Sequence, residues 1–506
     1  MPRRVSPSTS PSVVTVLPTP SWPGVIPVTK TMRPFERPDC RDSAAGSTFA
    51  IERPYGIHDP SGIPSDSTTS RIGFSAIDTE ERRRPVKHSV NPSQPVFYGR
   101  GVVPARTMTA TGSRLALLEC RACGMTLSAD SVQTVCPTCS GPLFATYDLA
   151  HWEARTWREA LAQRAATLWR YRELLPVKDD RSIVTLGEGL TPVIELGAVP
   201  SADGLEVWLK DDGLLPTGSF KIRGMSVAVS RAGELGVRQF FVPSAGNAGV
   251  ALAACAARAG ATARIYLPTG TPAVMESACR LYGAEVVREG ATIREAGIAA
   301  RTAEAATGAL DMSTLREPFR AEGKKTMGLE IWEEMAPDRM PDAILYPTGG
   351  GTGVIGMFRA FLQLIELGLL DRMPRLYSVQ PDGCAPIVRA LDEGDARARP
   401  WNDAQTVAPG LLVPAPFGSE RVLEALRESR GGGITVSDAS ILDAVRDLGK
   451  RHGVSASPEG AAPYAALAPL LARGALRPGE RVLLYNTGSG IPFLAAENPG
   501  TGPGSR

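Results

Sequence analysis

Residues 238–260 read RQFFVPSAGNAGVALAACAARAG. An apolar run of strand length ends in a loop of small residues, and a segment of helical periodicity follows directly. The same pairing recurs from about residue 183 onward. ARIYLP (263–268) precedes AVMESACRLYG (273–283), and AEVV (284–287) precedes IREAGIAARTAEAAT (293–307). AILYPTG (343–349) precedes VIGMFRAFLQLIELG (354–368), RLYSVQ (375–380) precedes APIVRALDEG (385–394), and RVLLYNTG (481–488) stands near the end. This rhythm predicts an α/β fold with mostly parallel, buried strands. Ligands in such sheets bind beyond the carboxyl ends of the strands, so the loops there are where function is sought.

Three of those loops are chemically unusual. Ser244-Ala245-Gly246-Asn247-Ala248-Gly249 leads into a helix whose amino end suits an anion or an amide contact. Gly349-Gly350-Gly351-Thr352-Gly353 joins a strand to a helix, and four glycines in five residues let backbone N–H groups converge on a phosphate. Asn486-Thr487-Gly488-Ser489-Gly490 closes the last strand. A fourth segment, LPTGSFKIRG (215–224), sets Lys221 among small and hydroxylated residues. It is not a Walker loop, because Gly218 stands only three residues before Lys221 and Ile222 follows it. With the phosphate cradle elsewhere, Lys221 fits a Schiff-base lysine for pyridoxal 5'-phosphate, against the plainer reading of a solvated turn lysine. The Asn486–Gly490 loop then offers a neutral hydroxyl where an Asp or Arg would otherwise meet the pyridine nitrogen, which favours elimination and replacement over transamination.

The 506 residues, 43% apolar and 21% charged, leave room for several domains and a sizeable core. A net charge of +2 gives no global footprint for nucleic acid, and no run of 18 apolar residues is present to span a bilayer. Residues 1–107 are rich in Pro, Ser, Arg and Thr and are expected to be disordered, with the functional chain beginning near Met108. Prolines at positions 2, 7, 11, 18, 20 and 23 argue against an amphipathic transit helix.

Cys120-x-x-Cys123 and Cys136-x-x-Cys139, twelve residues apart, predict a closed tetrahedral zinc site within a ribbon over 108–145, with 146–506 as the catalytic region. Gly124 and the Ser140-Gly141-Pro142 turn supply permissive backbone after each pair. A redox dithiol is the competing reading. Cys255, Cys279 and Cys384 read as packed thiols, and Cys40 carries no pattern.

Lys210-Asp211-Asp212-Gly213 with PTGSFK, SAGNAG, GGGTG and NTGSG resembles the fold-type II pyridoxal-phosphate enzymes. LGEGLTP (186–192) and EPFRAEGKKTMG (317–328) narrow the resemblance to the threonine synthases, over residues 115–490. The resemblance implies a tryptophan synthase β-like fold of two α/β lobes, cytoplasmic and homodimeric, taking a small amino-acid substrate and no nucleic acid or membrane partner. It implies that Lys221 is the Schiff-base lysine and proton shuttle at Cα, that Phe220 packs near the ring, and that Asn247 bonds the ring 3'-oxygen. Gly349, Gly350, Gly351, Thr352 and Gly353 would hold the cofactor phosphate, with Thr487 at the ring nitrogen. For the substrate phosphate it implies Arg320 of the R-x-E-G-x-K-T segment, with Ser244, Ser313 and Thr314 as weaker candidates that also read as caps or strand-end turns. Two positions depart from the family: Ile222 stands where many members have Asp, and Ile491-Pro492-Phe493 where Leu-Lys-Tyr is usual. The alternatives are a dehydratase of hydroxy amino acids, a β-replacement enzyme of the same fold, and a non-catalytic zinc-ribbon binding module.

Overall fold

The computed structural model describes residues 112–494. The expected extension over 1–107, the proposed start at Met108 and Cys40 lie outside the described residues. The chain opens with β1 (Leu115–Cys120), β2 (Thr126–Ser128) and β3 (Leu143–Tyr147), antiparallel in the order β2-β1-β3. The third strand thus runs to Tyr147, past the boundary expected at 145. Leu118, Cys120, Leu143 and Ala145 of this ribbon share a buried apolar cluster with Ile222, Met225 and Val229.

Beyond the ribbon come β4 (Val193–Glu195), β5 (Glu206–Asp211), β6 (Gln239–Pro243), β7 (Thr262–Leu267), β8 (Glu285–Arg288), β9 (Leu310–Asp311), β10 (Ala343–Pro347), β11 (Arg375–Pro381), β12 (Gly432–Val436) and β13 (Arg481–Asn486). They form a six-stranded sheet, β12-β11-β10-β13-β5-β4, and a four-stranded sheet, β8-β7-β6-β9. All pairs are parallel except β4 with β5, as the near-continuous apolar strands require when both faces are covered by helices. The insertion of β13 between β10 and β5 puts three loops side by side at the carboxyl end of the larger sheet. They are the glycine tract after β10, the Asn486–Gly490 turn after β13, and the segment from Asp211 to Lys221 after β5.

Three helices converge beneath these loops: Lys221–Glu234, Arg320–Met335 and Thr352–Glu366. Their crossings are close enough to demand glycine. A Cβ on Gly323 would lie 2.0 Å from the Arg223 carbonyl oxygen, one on Gly224 would lie 2.6 Å from the Arg320 oxygen, and one on Gly356 would meet the Lys324 backbone at 2.8 Å. Removing these Cβ atoms lets the backbones approach and fixes the residues at the helix amino ends relative to one another.

Candidate active site

Lys221 begins its helix directly after Phe220, and its amine sits 4.2 Å from the centre of the Phe220 ring. Phe220 is buried and edge-on to Tyr346, which anchors it to β10. The lysine is tied to the end of β13 by backbone pairing: the Phe220 N–H donates to the Thr487 oxygen at 3.0 Å and the Ser489 N–H to the Gly218 oxygen at 2.8 Å. Burial first, and then the positive charge of Arg320, bring the Lys221 pKa down to about 8, with Glu459 opposing both. An amine in that state exchanges protons readily near neutrality, which a Schiff-base nucleophile and proton shuttle both need.

The glycine tract forms a receptive backbone. Gly351 is left-handed, with φ of +77°, and a Cβ there would meet Val422 at 2.2 Å. A Cβ on Gly349 would strike the Gly410 oxygen at 2.5 Å, and one on Gly353 the Tyr346 hydroxyl at 2.1 Å. Among the described residues, none of the five N–H groups from Gly349 to Gly353 has a hydrogen-bond partner. Open N–H groups at a helix amino end, with protein packed behind them, suit a phosphate. The buried hydroxyls of Thr217 and Ser219, flanking Gly218 in the Lys221 loop, also lack partners. Orphaned polar atoms gathered around a lysine of lowered pKa fit a polar cofactor such as pyridoxal phosphate.

The remaining expected residues divide. Asn247 opens the helix Asn247–Arg258 at the carboxyl end of β6, half-buried, with no side-chain hydrogen bond among the described residues. Thr314 packs against the glycine tract, its methyl 3.2 Å from where a Gly350 Cβ would lie. Thr352 and Thr487 are buried at the loop ends. Ser244 and Ser313 are engaged in their own turns. The Ser244 hydroxyl oxygen accepts from the N–H groups of Gly246 and Gly249, at 3.1 and 2.9 Å, and Ser313 donates to Asp311. Arg320 is buried: one terminal nitrogen donates to the Met312 oxygen, while Nε has no partner.

Several groups escaped the motif reading. Arg223 binds Asp212 and Glu330 through two-pronged contacts of 2.5–2.9 Å, and Lys210 reaches Glu330 at 3.0 Å, all fully buried. This network staples the Lys221 helix to the Arg320 helix and to the end of β5. Glu459 accepts from the Gly410 N–H at 2.7 Å and leaves its second oxygen unpartnered. Glu322, two residues after Arg320, accepts from the Tyr147 hydroxyl of the ribbon at 2.9 Å and pairs with Lys325 at 2.7 Å. Of the two departures from the family pattern, Ile222 is wholly buried in the apolar core and Ile491 is exposed.

The four ribbon cysteines bring their sulfur atoms within 4.8 Å of one another, the shortest separations being 3.4 and 3.6 Å. A tetrahedral zinc with bonds of about 2.3 Å sets sulfurs roughly 3.8 Å apart, so the set fits that ion; a disulfide would need about 2 Å. Gly124 is left-handed as expected, whereas in the second knuckle that conformation falls on Ser140, with φ of 57°. Gly141 is needed for space: a Cβ there would lie 3.3 Å from the Cys139 sulfur.

Residues 184–488 match the family of pyridoxal-phosphate dependent enzymes. The chain is 32% identical to the threonine synthase of Methanocaldococcus jannaschii over 377 residues, covering 74% of this chain and 92% of that protein. It is 33% identical to the threonine synthase of Methanosarcina acetivorans over 373 residues, covering 73% and 91%. Among solved structures, maize serine racemase shares the fold, with a TM-score of 0.52, 22% identity, and coverage of 61% of this chain and 92% of that one. Fold and site thus define a pyridoxal-phosphate dependent enzyme of fold type II, and within that class the chain belongs to the threonine synthase family.

Proposed function

We propose that the enzyme converts O-phospho-L-homoserine and water to L-threonine and inorganic phosphate. The observation that carries this reading in the site is Arg320, a buried guanidinium with an unpartnered Nε, close enough to Lys221 to lower its pKa. A substrate phosphate gives that guanidinium a charge-assisted hydrogen-bond partner, whereas the hydroxyl of serine or threonine carries no charge to pair with it.

Pyridoxal phosphate, when bound, supplies the electron sink that makes protons next to the amino-bearing carbon acidic. Lys221 takes the Cα proton and returns one later. The Cβ proton also leaves, and the Cγ–O bond breaks with its electron pair going to phosphate. Cγ gains a proton to become the methyl group, and water bonds to Cβ through its oxygen, with one of its protons passing to the released phosphate. Arg320 holds the phosphate before and after it departs, with Thr314 and the turns around Ser244 and Ser313 shaping that end of the pocket. The N–H groups of Gly349 to Gly353 and the Thr352 hydroxyl would hold the cofactor phosphate, Asn247 would bond the ring 3'-oxygen, and Phe220 would pack near the ring. A neutral Thr487 hydroxyl facing the ring nitrogen would favour elimination and replacement over transamination.

Zinc on Cys120, Cys123, Cys136 and Cys139 is structural in this reading, since four thiolates leave no position open for substrate. The enzyme is a cytoplasmic homodimer, an assignment carried by its resemblance to the family and checked by sedimentation and cell fractionation. The function itself is tested by product analysis of the purified protein supplied separately with O-phosphohomoserine, serine and threonine. Threonine and phosphate released in equal amounts from the first support it; preferential deamination of the others would replace it with a dehydratase.

A further inference from the structure

We infer that Lys324 is a second ligand, beside Arg320, for a phosphate-monoester group in the active site. This deepens the proposed function and rests on it for the identity of the substrate. Three lysines are fully buried among the described residues: Lys210, Lys324 and Lys325. Lys210 is paired with Glu330 at 3.0 Å and Lys325 with Glu322 at 2.7 Å, whereas the Lys324 amine has no hydrogen-bond partner. An unpaired buried amine is costly, and proteins ordinarily satisfy it with a carboxylate, a carbonyl or a bound ligand.

The surroundings of Lys324 call for an anion. Its charged neighbours are Arg320, Lys221 and Arg223, with Glu317 the opposing charge. Glu317 is itself occupied: its carboxylate accepts from the backbone N–H groups of Phe319 and Arg320, each at 2.8 Å. Burial first, and then the charge of Arg320, push the Lys324 amine well below its ordinary pKa, so the site takes up a proton when an anion arrives. A phosphate monoester, carrying up to two negative charges, can satisfy the Arg320 fork and the Lys324 amine together.

The position also fits. The Lys324 amine is 5.7 Å from the centre of the Phe220 ring, and the Lys221 amine lies 4.2 Å from the same centre, so the two are within about 10 Å of each other. In O-phosphohomoserine the phosphorus is four bonds from Cα, a span of roughly 5 Å. A substrate worked on by Lys221 can therefore direct its phosphate toward Lys324. Gly224, one turn beyond Lys221, leaves the space that the amine fills, since a Cβ there would lie 1.9 Å from Nζ. The R-x-E-G-x-K-T segment specifies Lys325, which is turned toward Glu322 and the Tyr147 ring, 3.9 Å away. The lysine beside Phe220 is the one at its unspecified position.

A phosphate monoester reaches this pocket from two sources, the substrate and the cofactor. The open N–H groups of Gly349 to Gly353 already answer the cofactor phosphate, which favours the substrate. The test uses the holoenzyme and its Lys324→Met and Lys324→Gln variants, with inorganic phosphate as the probe. Dissociation constants for phosphate and for L-threonine by titration calorimetry, KM for O-phosphohomoserine, cofactor affinity from its absorbance band, and Tm are measured for each. The expected result is at least a tenfold rise in the phosphate dissociation constant and in KM, with cofactor and L-threonine binding changed less than twofold and Tm held or raised. Weakened cofactor binding with unchanged binding of inorganic phosphate would keep Lys324 as a phosphate ligand and assign it to the cofactor. Phosphate and cofactor binding both unchanged, or phosphate and L-threonine binding weakened equally, would overturn the inference. Because the phosphate arm needs no turnover, it remains decisive even if O-phosphohomoserine proves not to be the substrate.

Discussion

Replacing Glu330 by Gln removes the charge that holds Arg223 and Lys210 in place. The Glu330 carboxylate accepts from both terminal nitrogens of Arg223, at 2.5 and 2.9 Å, and lies 3.0 Å from Lys210. Although burial works against ionisation, the charges of Arg223 and Lys210 hold its pKa at about 2, against an ordinary 4.5. A gap of that size corresponds to roughly 3 kcal/mol of folding stability at neutral pH. The cost of breaking one side of a buried ion pair, about 3–5 kcal/mol, gives the same order. Because the folded pKa is depressed, this contribution is fully present above pH 4.5 and is lost as pH falls through the folded value near 2. With an unfolding entropy of about 0.8 kcal/mol/K for a body of this size, Glu330→Gln should lower Tm by roughly 4 °C at neutral pH. Calorimetry of the holoenzyme measures it, and the gap between variant and wild type should narrow on acidification. A Tm within about 1 °C of wild type, or a gap that widens toward acid, would refute the assignment of the network as a staple.

Lys221→Ala should abolish both the absorbance band of the bound cofactor and turnover. In the wild type the rate of cofactor reattachment should rise with pH and level off above about 8, where the amine is mostly neutral. Arg320→Ala should reduce kcat/KM for O-phosphohomoserine by about 2–5 kcal/mol, with a far smaller effect on any deamination of serine; steady-state kinetics on both substrates separates a phosphate ligand from a structural residue. Protein purified under reducing conditions should carry about one zinc per chain by elemental analysis, and Cys136→Ser should lose it with a fall in Tm larger than any fall in kcat.

Much of this was legible in the one-dimensional text, because the signals are local. The helix after β6 and the glycine tract after β10 announce themselves by periodicity and composition within a dozen residues. The paired cysteine turns declare their ligands by spacing alone. Where local chemistry misleads, packing is the reason. The strand β12 begins at Gly432 and Gly433, residues that strands usually avoid, and the preceding Gly431, where a Cβ would lie 1.8 Å from the Leu376 oxygen, allows the close approach to β11. The Ser313 hydroxyl reads equally well as a ligand or a cap, Ser244 is a weaker ligand candidate, and only turn geometry shows both engaged.

The class of fold is written in contiguous residues whose backbone needs are local, and so are the two motifs on which the proposed Schiff-base lysine and phosphate cradle rest. Partnership across the chain was decided by the tertiary structure. Arg223 meets Glu330 from 107 positions away, and Lys324 and Lys325, adjacent in sequence, part company because one helix turns one amine toward a carboxylate and the other toward Phe220. Desolvation and Coulomb interaction depend on what surrounds a charge in space, so only the packed helices could distinguish a paired lysine from one left waiting for an anion.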